Sequence, residues 1–207
     1  MHNDARGNNL AIAYFGRINI VLPAMKKDLK GKSVVLGIGG GIAAYKCCEL
    51  ARLLTKSGAD VHCVLTSAGA QFVTPLTLQT LTANPVHTDM WNLIQEKEIS
   101  HISLADRADL VLVAPATADL IAKIAHGICD DLLTTVICAT KAPVLFAPSM
   151  NSNMWDNPIT QANVAGLTKL GYRFMEPGVG ELACGYEGKG RLPEPDEILQ
   201  KIIRLMK

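Results

Sequence analysis

The chemistry in this sequence is densest where Gly37-Ile38-Gly39-Gly40-Gly41-Ile42 joins an apolar run to a helical one. Glycines let backbone N–H groups approach an anion closely, and the following helix adds unpaired donors and positive potential. A tight turn that binds nothing is the plain alternative, but three consecutive glycines exceed what a turn requires. A dinucleotide site would carry a third spaced glycine where Ile42 stands, and an acidic residue at the end of the second strand. Thr66 and Ser67 stand there instead. A carboxylate accepts hydrogen bonds from a ribose diol, whereas hydroxyls donate to a phosphate, so a mononucleotide such as FMN fits better. Asn151 lies in a polar stretch just after an apolar run, where its amide can both accept from and donate to a bound carboxylate or flavin. The cysteines, Cys47, Cys48, Cys63, Cys129, Cys138 and Cys184, form no C-x-x-C pair, and the histidines form no H-x-x-H pair. No metal site is expected, and scattered thiols of this kind suit a reducing cytosol rather than a disulfide frame.

These residues need a scaffold, and the alternation of apolar runs with helical patterns supplies one. Ser33–Ile38, Asp60–Thr66, Leu110–Ala114, Pro143–Ala147 and Tyr172–Met175 read as strands. Helical spacing covers Ile42–Ser57, about Asp119–Ala139 with a possible break near Gly127, Pro158–Leu170, and Glu197–Met206. Continuous apolar strands separated by helices predict a parallel sheet covered on both faces. The expected fold is therefore α/β, a single-domain, three-layer, doubly wound sandwich of the Rossmann-like or flavodoxin-like kind. Ligands in such folds sit beyond the carboxyl ends of the strands. That rule singles out the loops 39–42, 66–72, 115–118 and 148–155. The segment 177–195, rich in glycine and proline, reads as a long loop of functional type.

A length of 207 residues with 49% apolar and 19% charged residues suits one well-filled core. The formal charge of +1 gives no electrostatic footprint for nucleic acid or an anionic membrane. No apolar stretch is long enough to span a bilayer, and no basic leader precedes the apolar part of the N-terminal segment. Residues 1–24 are expected to lie upstream of the fold, which should begin by about residue 31 and run to Lys207.

Five ordered motifs then resemble the homo-oligomeric flavin-containing cysteine decarboxylases. They are G-G-I-A-A-Y-K at 40–46, S-H-I-S-L at 100–104, A-D-L-V-L-V-A-P-A-T-A-D-L-I-A-K at 108–123, P-S-M-N-S-N-M-W at 148–155, and A-C-G-Y-E-G-K-G-R at 183–191. The resemblance spans residues 33–195. It implies that Gly39, Gly40, Gly41 and Ile42, with Thr66 and Ser67, hold an FMN phosphate. It further implies that Phe72 and the turn Pro115-Ala116-Thr117-Ala118 cradle the rest of the flavin. His101 matches the family's active-site histidine. Asn151 and Met154 match its substrate and flavin motif, in which the usual alanine is Ser149 here. Ala183 and Arg191 are the implied substrate contacts on a flap over about 177–195, and Cys184 is the implied proton donor.

Removing CO2 from a cysteine carboxylate requires an electron sink. Oxidised FMN can take a hydride from the carbon bearing sulfur, leaving the carboxylate β to a C=S group so that CO2 departs. His101 would help deprotonate the thiol or position the carboxylate, and Asn151 would fix the carboxylate over the flavin. Cys184 would protonate the ene-thiolate, which implies the members acting on 4'-phosphopantothenoylcysteine in coenzyme A biosynthesis. Peptidyl-cysteine decarboxylases of lantibiotic maturation stop at the ene-thiol. A non-catalytic regulatory subunit would lack one of His101, Asn151 and Cys184, and a flavin prenyltransferase relative would lack the 148–155 segment. The resemblance also implies a cytoplasmic trimer or dodecamer, and a phosphopantothenate–cysteine ligase, fused or separate, as partner.

Overall fold

A computed structural model describes residues 11–15, 18–22, 27–91, 100–183, 185 and 187–207. The strands β1 (Ala11–Phe15) and β2 (Ile18–Leu22) pair antiparallel in a sheet of their own. Next come β3 (Ser33–Ile38), α1 (Ala44–Lys56), β4 (Asp60–Leu65) and α2 (Pro75–Thr82). They are followed by α3 (Ser100–Arg107), β5 (Leu110–Ala116), α4 (Ala118–Ala125), α5 (Leu132–Ala139) and β6 (Val144–Pro148). The chain continues through α6 (Ser152–Trp155), α7 (Pro158–Lys169), β7 (Arg173–Phe174), β8 (Gly178–Glu181), β9 (Glu187–Arg191) and α8 (Pro195–Leu205).

The central sheet is parallel, in the order β4-β3-β5-β6-β7. Counted within that sheet the order is second, first, third, fourth, fifth, the flavodoxin-like arrangement with its switch point between β3 and β5. Side-chain alternation assigns the two faces. Val34, Leu36 and Ile38 of β3, Leu110, Leu112 and Ala114 of β5, and Leu145 and Ala147 of β6 join α1, α2 and α8 in one core. Val35, Val111, Val113, Val144 and Phe146 join α3, α4, α5 and α7 in the other. Every one of these strand residues is buried, which is why each run is apolar throughout instead of alternating with polar residues.

The possible break near Gly127 is present, and one expectation is corrected. The helical pattern over 119–139 is two helices, because Gly127 takes a left-handed φ of 67° and Asp131 starts a new helix by accepting from the Thr134 N–H at 2.7 Å. The expected loop over 177–195 contains an antiparallel ribbon, β8 against β9. Its glycines hide the strand signal in sequence, since strand propensity is a side-chain property.

Candidate active site

A cavity of about 1130 Å³ opens at the carboxyl ends of the central strands. That exceeds the usual range of roughly 300–1,000 Å³ for one ligand, leaving space for a cofactor and a substrate together. One wall is the turn from β3 into α1: Gly40, Gly41, Ile42 and Ala43, then Tyr45 and Lys46. Ala44, Tyr45 and Lys46 donate to the carbonyls of Gly41, Ile42 and Ala43, so a ligand here must be held by the N–H groups of the turn that precedes them. Gly40 is obligatory by close approach, because a Cβ there would overlap Ala68. A Cβ at Gly39 would stand 2.5 Å from the Pro115 carbonyl oxygen. This backbone-lined cradle at a helix start fits a phosphate. Gly39 itself, Pro115, Ala116 and Phe72 do not line the cavity: Gly39 packs against Pro115, and Phe72 is exposed beyond the next turn.

Thr66 and Ser67 divide their roles. The buried Thr66 hydroxyl donates to the Ile38 carbonyl at 3.0 Å and accepts from the Gly69 N–H at 3.0 Å. Its one proton is engaged inside the protein, bracing the floor beneath the glycine turn, and Thr66 itself lines the cavity. Ser67 is exposed and lines the cavity.

The wall from β5 into α4 brings Thr117 and Ala118, then Asp119 and Lys123. Thr117 caps α4 by accepting from the Leu120 N–H at 3.2 Å. Lys123 is matched by Asp119 at 3.4 Å and Asp130 at 3.1 Å, and its hydrogen bond with Asp130 leads in holding the ammonium above its ordinary range. After β6 come Ser149, Met150, Asn151 and Met154. Asn151 caps α6, its Oδ1 accepting from the Asn153 N–H at 2.9 Å, which fixes the amide plane at the cavity wall. Trp155 turns into the core, whereas Met154 is half exposed and faces the cavity.

The ribbon closes the remaining side with Glu181, Leu182, Ala183, Gly185, Gly190 and Arg191. It docks where the Met150 N–H donates to the Gly190 carbonyl at 2.9 Å, and a Cβ on Gly190 would collide with the Met150 carbonyl oxygen. Cys184 lies outside the described residues, although Ala183 and Gly185 on either side of it line the cavity. His101, in the first turn of α3, does not line the cavity of its own chain. Its Nδ1 is buried and has no hydrogen-bond partner among the described residues.

Lys46, Lys123, Asp119 and Asp131 also line the cavity, although no motif singles them out as site residues. For Lys46 a signal was present: a cation three positions into the helix that follows an anion-binding loop.

A family model described as Flavoprotein matches residues 23–207. The chain is 48% identical over 172 residues to the coenzyme A biosynthesis bifunctional protein CoaBC of Bacillus subtilis, covering 83% of this chain and 42% of that protein. It thus spans less than half the length of that relative. A probable phosphopantothenoylcysteine decarboxylase of Streptococcus mutans is 46% identical over 173 residues, covering 83% of this chain and 97% of that one. Among solved structures, a cysteine-to-serine mutant of PPC decarboxylase complexed with pantothenoylaminoethenethiol superposes with a TM-score of 0.74 at 34% identity, covering 84% of this chain and 97% of that one. The FMN-dependent cysteine decarboxylase SpaF superposes with a TM-score of 0.74 at 28% identity, covering 86% and 98%.

Proposed function

This chain belongs to the flavoprotein family, in its phosphopantothenoylcysteine decarboxylase branch, and we propose that it binds FMN and decarboxylates 4'-phosphopantothenoylcysteine to phosphopantetheine. The observation that carries this reading is the meeting of the glycine turn, Asn151, Met154 and the ribbon residues beside Cys184 around one cavity at the β3/β5 switch point. Coenzyme A biosynthesis is the setting named for the relatives, and a ligase on the same or a separate polypeptide would supply the substrate. Soluble substrates and products suit the cytoplasm; among the described residues no helix is long and apolar enough to cross a membrane.

When bound, FMN supplies the two-electron oxidation of the thiol-bearing carbon and its later reversal. Gly40, Gly41, Ile42 and Ala43 would hold its phosphate by backbone N–H groups, with Ser67 adding a hydroxyl, while Thr117 and Ala118 edge the flavin. Asn151, clamped by its cap, would orient the substrate carboxylate. Met154 would supply apolar cover. Cys184 would return a proton to the carbon left by CO2. Support for that role comes from the related mutant: a cysteine-to-serine PPC decarboxylase complexed with an ene-thiol.

His101 would act in the site of a neighbouring copy. Its orphaned ring nitrogen, absent from the wall of its own cavity, supports a homo-oligomer in which α3 of one subunit completes the site of the next, and a trimer is the assembly that the family resemblance implies.

Purified, FMN-loaded protein should release CO2 from phosphopantothenoylcysteine and end with oxidised flavin. Cys184→Ser should still release CO2 but leave reduced flavin; full turnover in that variant would remove the case against a peptide-modifying decarboxylase. His101→Asn and Asn151→Ala should each stop CO2 release with flavin retained. Mixing and reassembling the two inactive proteins should restore part of the activity, because some interfaces then carry neither change. No recovery in mixed oligomers would place His101 and Asn151 in one subunit's site.

A further inference from the structure

We infer that Lys46 and Arg191 form the seat for the substrate's terminal phosphate, and that Glu194 fills this seat as an exchangeable internal counter-ion. The inference rests on the reading that the substrate is a phosphopantothenoylcysteine.

Lys46 and Arg191 both line the cavity, one carried by α1 and the other by β9. They converge on a single oxygen of Glu194: Lys46 Nζ donates to Oε1 at 2.8 Å, and Arg191 Nη2 stands 3.9 Å from the same atom. Two cations meeting at one oxygen is the arrangement a phosphate monoester uses. Glu194 does not itself line the cavity and its side chain is 58% exposed, so the carboxylate can swing to solvent. Lys46 cannot follow it, since its side chain is only 15% exposed.

The backbones of all three are held. Lys46 sits in α1, which packs on α8 through a shared core. Glu194 immediately precedes α8, and its N–H donates to Glu197 Oε2 at 3.2 Å. Arg191 ends β9. The seat thus exists before ligand arrives, which lowers the cost of binding.

Charge matching argues the same way. Among the cavity's described cations, Lys123 already has two carboxylates, whereas Lys46 and Arg191 share one. A monoanion between two cations leaves one positive charge unmatched. A phosphate monoester carries about −1.5 to −2 at pH 7 and matches both. The flavin's own phosphate is the other possible source of this dianion, but the glycine turn offers it a separate cradle, while Glu194 draws the Lys46 ammonium toward the start of α8.

The test measures binding of phosphopantetheine and pantetheine to the FMN-loaded full chain by calorimetry, alongside CO2 release from the substrate with and without its phosphate. The wild type should bind the phosphorylated compound roughly ten- to a hundredfold more tightly. Lys46→Gln and Arg191→Gln should each remove about tenfold or more of that preference while leaving pantetheine binding within about twofold. Lys46→Arg should retain most of it, and Glu194→Gln should strengthen binding of the phosphorylated compound by removing the competitor. Equal wild-type affinities, or equal losses on both compounds, would overturn the inference. So would loss of flavin from Lys46→Gln, which would assign the lysine to the cofactor's phosphate. CO2 release without phosphate discrimination would sink this inference and leave the decarboxylase reading intact; discrimination without CO2 release would do the reverse.

Discussion

The two sides of the cavity are made of different material. On the glycine-turn side the wall is main chain seated on a buried sheet: Ile38 is fully buried, Thr66 is locked by two hydrogen bonds, and Gly40 touches Ala68 too closely for any side chain. Donors of this kind lose no rotamer freedom when an anion binds. On the ribbon side the wall is side chain carried on two short strands whose residues are mostly exposed or half exposed, the apolar Val179 among them. Its fastenings are few: the Met150–Gly190 hydrogen bond, the Lys189–Glu176 ion pair, and Lys189 lying 5.8 Å from the Trp155 ring centroid. A cofactor that stays bound suits the rigid wall; a substrate that must enter and leave suits the loosely fastened one.

Damage to the rigid wall should be the more severe. Gly40→Ala places a methyl group against Ala68 and should weaken FMN binding by about a hundredfold or more, read as loss of flavin absorbance from the folded, purified protein. If the yellow colour survives, the cradle is not where the cofactor's phosphate sits. Gly190→Ala should separate the two walls functionally. It forces the ribbon off Met150, so kcat/KM should fall by roughly ten- to a hundredfold while flavin remains bound. Flavin loss in this variant would show the ribbon to be part of the cofactor site.

Lys189→Met tests the weaker fastenings. An exposed ion pair and a long cation–π contact together contribute on the order of 1 kcal/mol, so KM should rise only a few-fold with kcat nearly unchanged. The smallest effect concerns the sheet beneath the rigid wall. Burial, reinforced by nearby Cys48, pushes the Cys63 thiol up to about 12. The folded chain therefore holds that proton where the unfolded chain releases it. Stability from this group is complete below the ordinary thiol range and declines as pH rises from about 9 toward 12. Chemical denaturation across that range should show a decline that Cys63→Ala lessens.

Much of the rigid half was legible in the residues. Ser33–Ile38 is a strand with the predicted bounds, and the expected strands at 60–66, 110–114, 143–147 and 172–175 match β4 to β7 within one or two residues. Continuous burial on both faces leaves an apolar run that composition cannot disguise. The ribbon was not legible, because its glycines and charges meet neither the strand nor the helix pattern and its pairing is set by docking on α6. Thr66 was placed correctly at the end of its strand, yet the direction of its proton depended on the Ile38 carbonyl, 28 residues away.

By itself the sequence determined the layered α/β plan, the loops at the carboxyl ends of the strands, and the tight glycine turn, since these follow from local periodicity and from glycine's missing side chain. The tertiary structure alone decided which charges meet at and beside the cavity. Lys46 and Glu194 meet across 148 residues because α8 packs on α1, and no local pattern encodes that meeting. Packing likewise kept His101 off its own chain's cavity wall, since a helix turns its side chains to the face that its neighbours leave open.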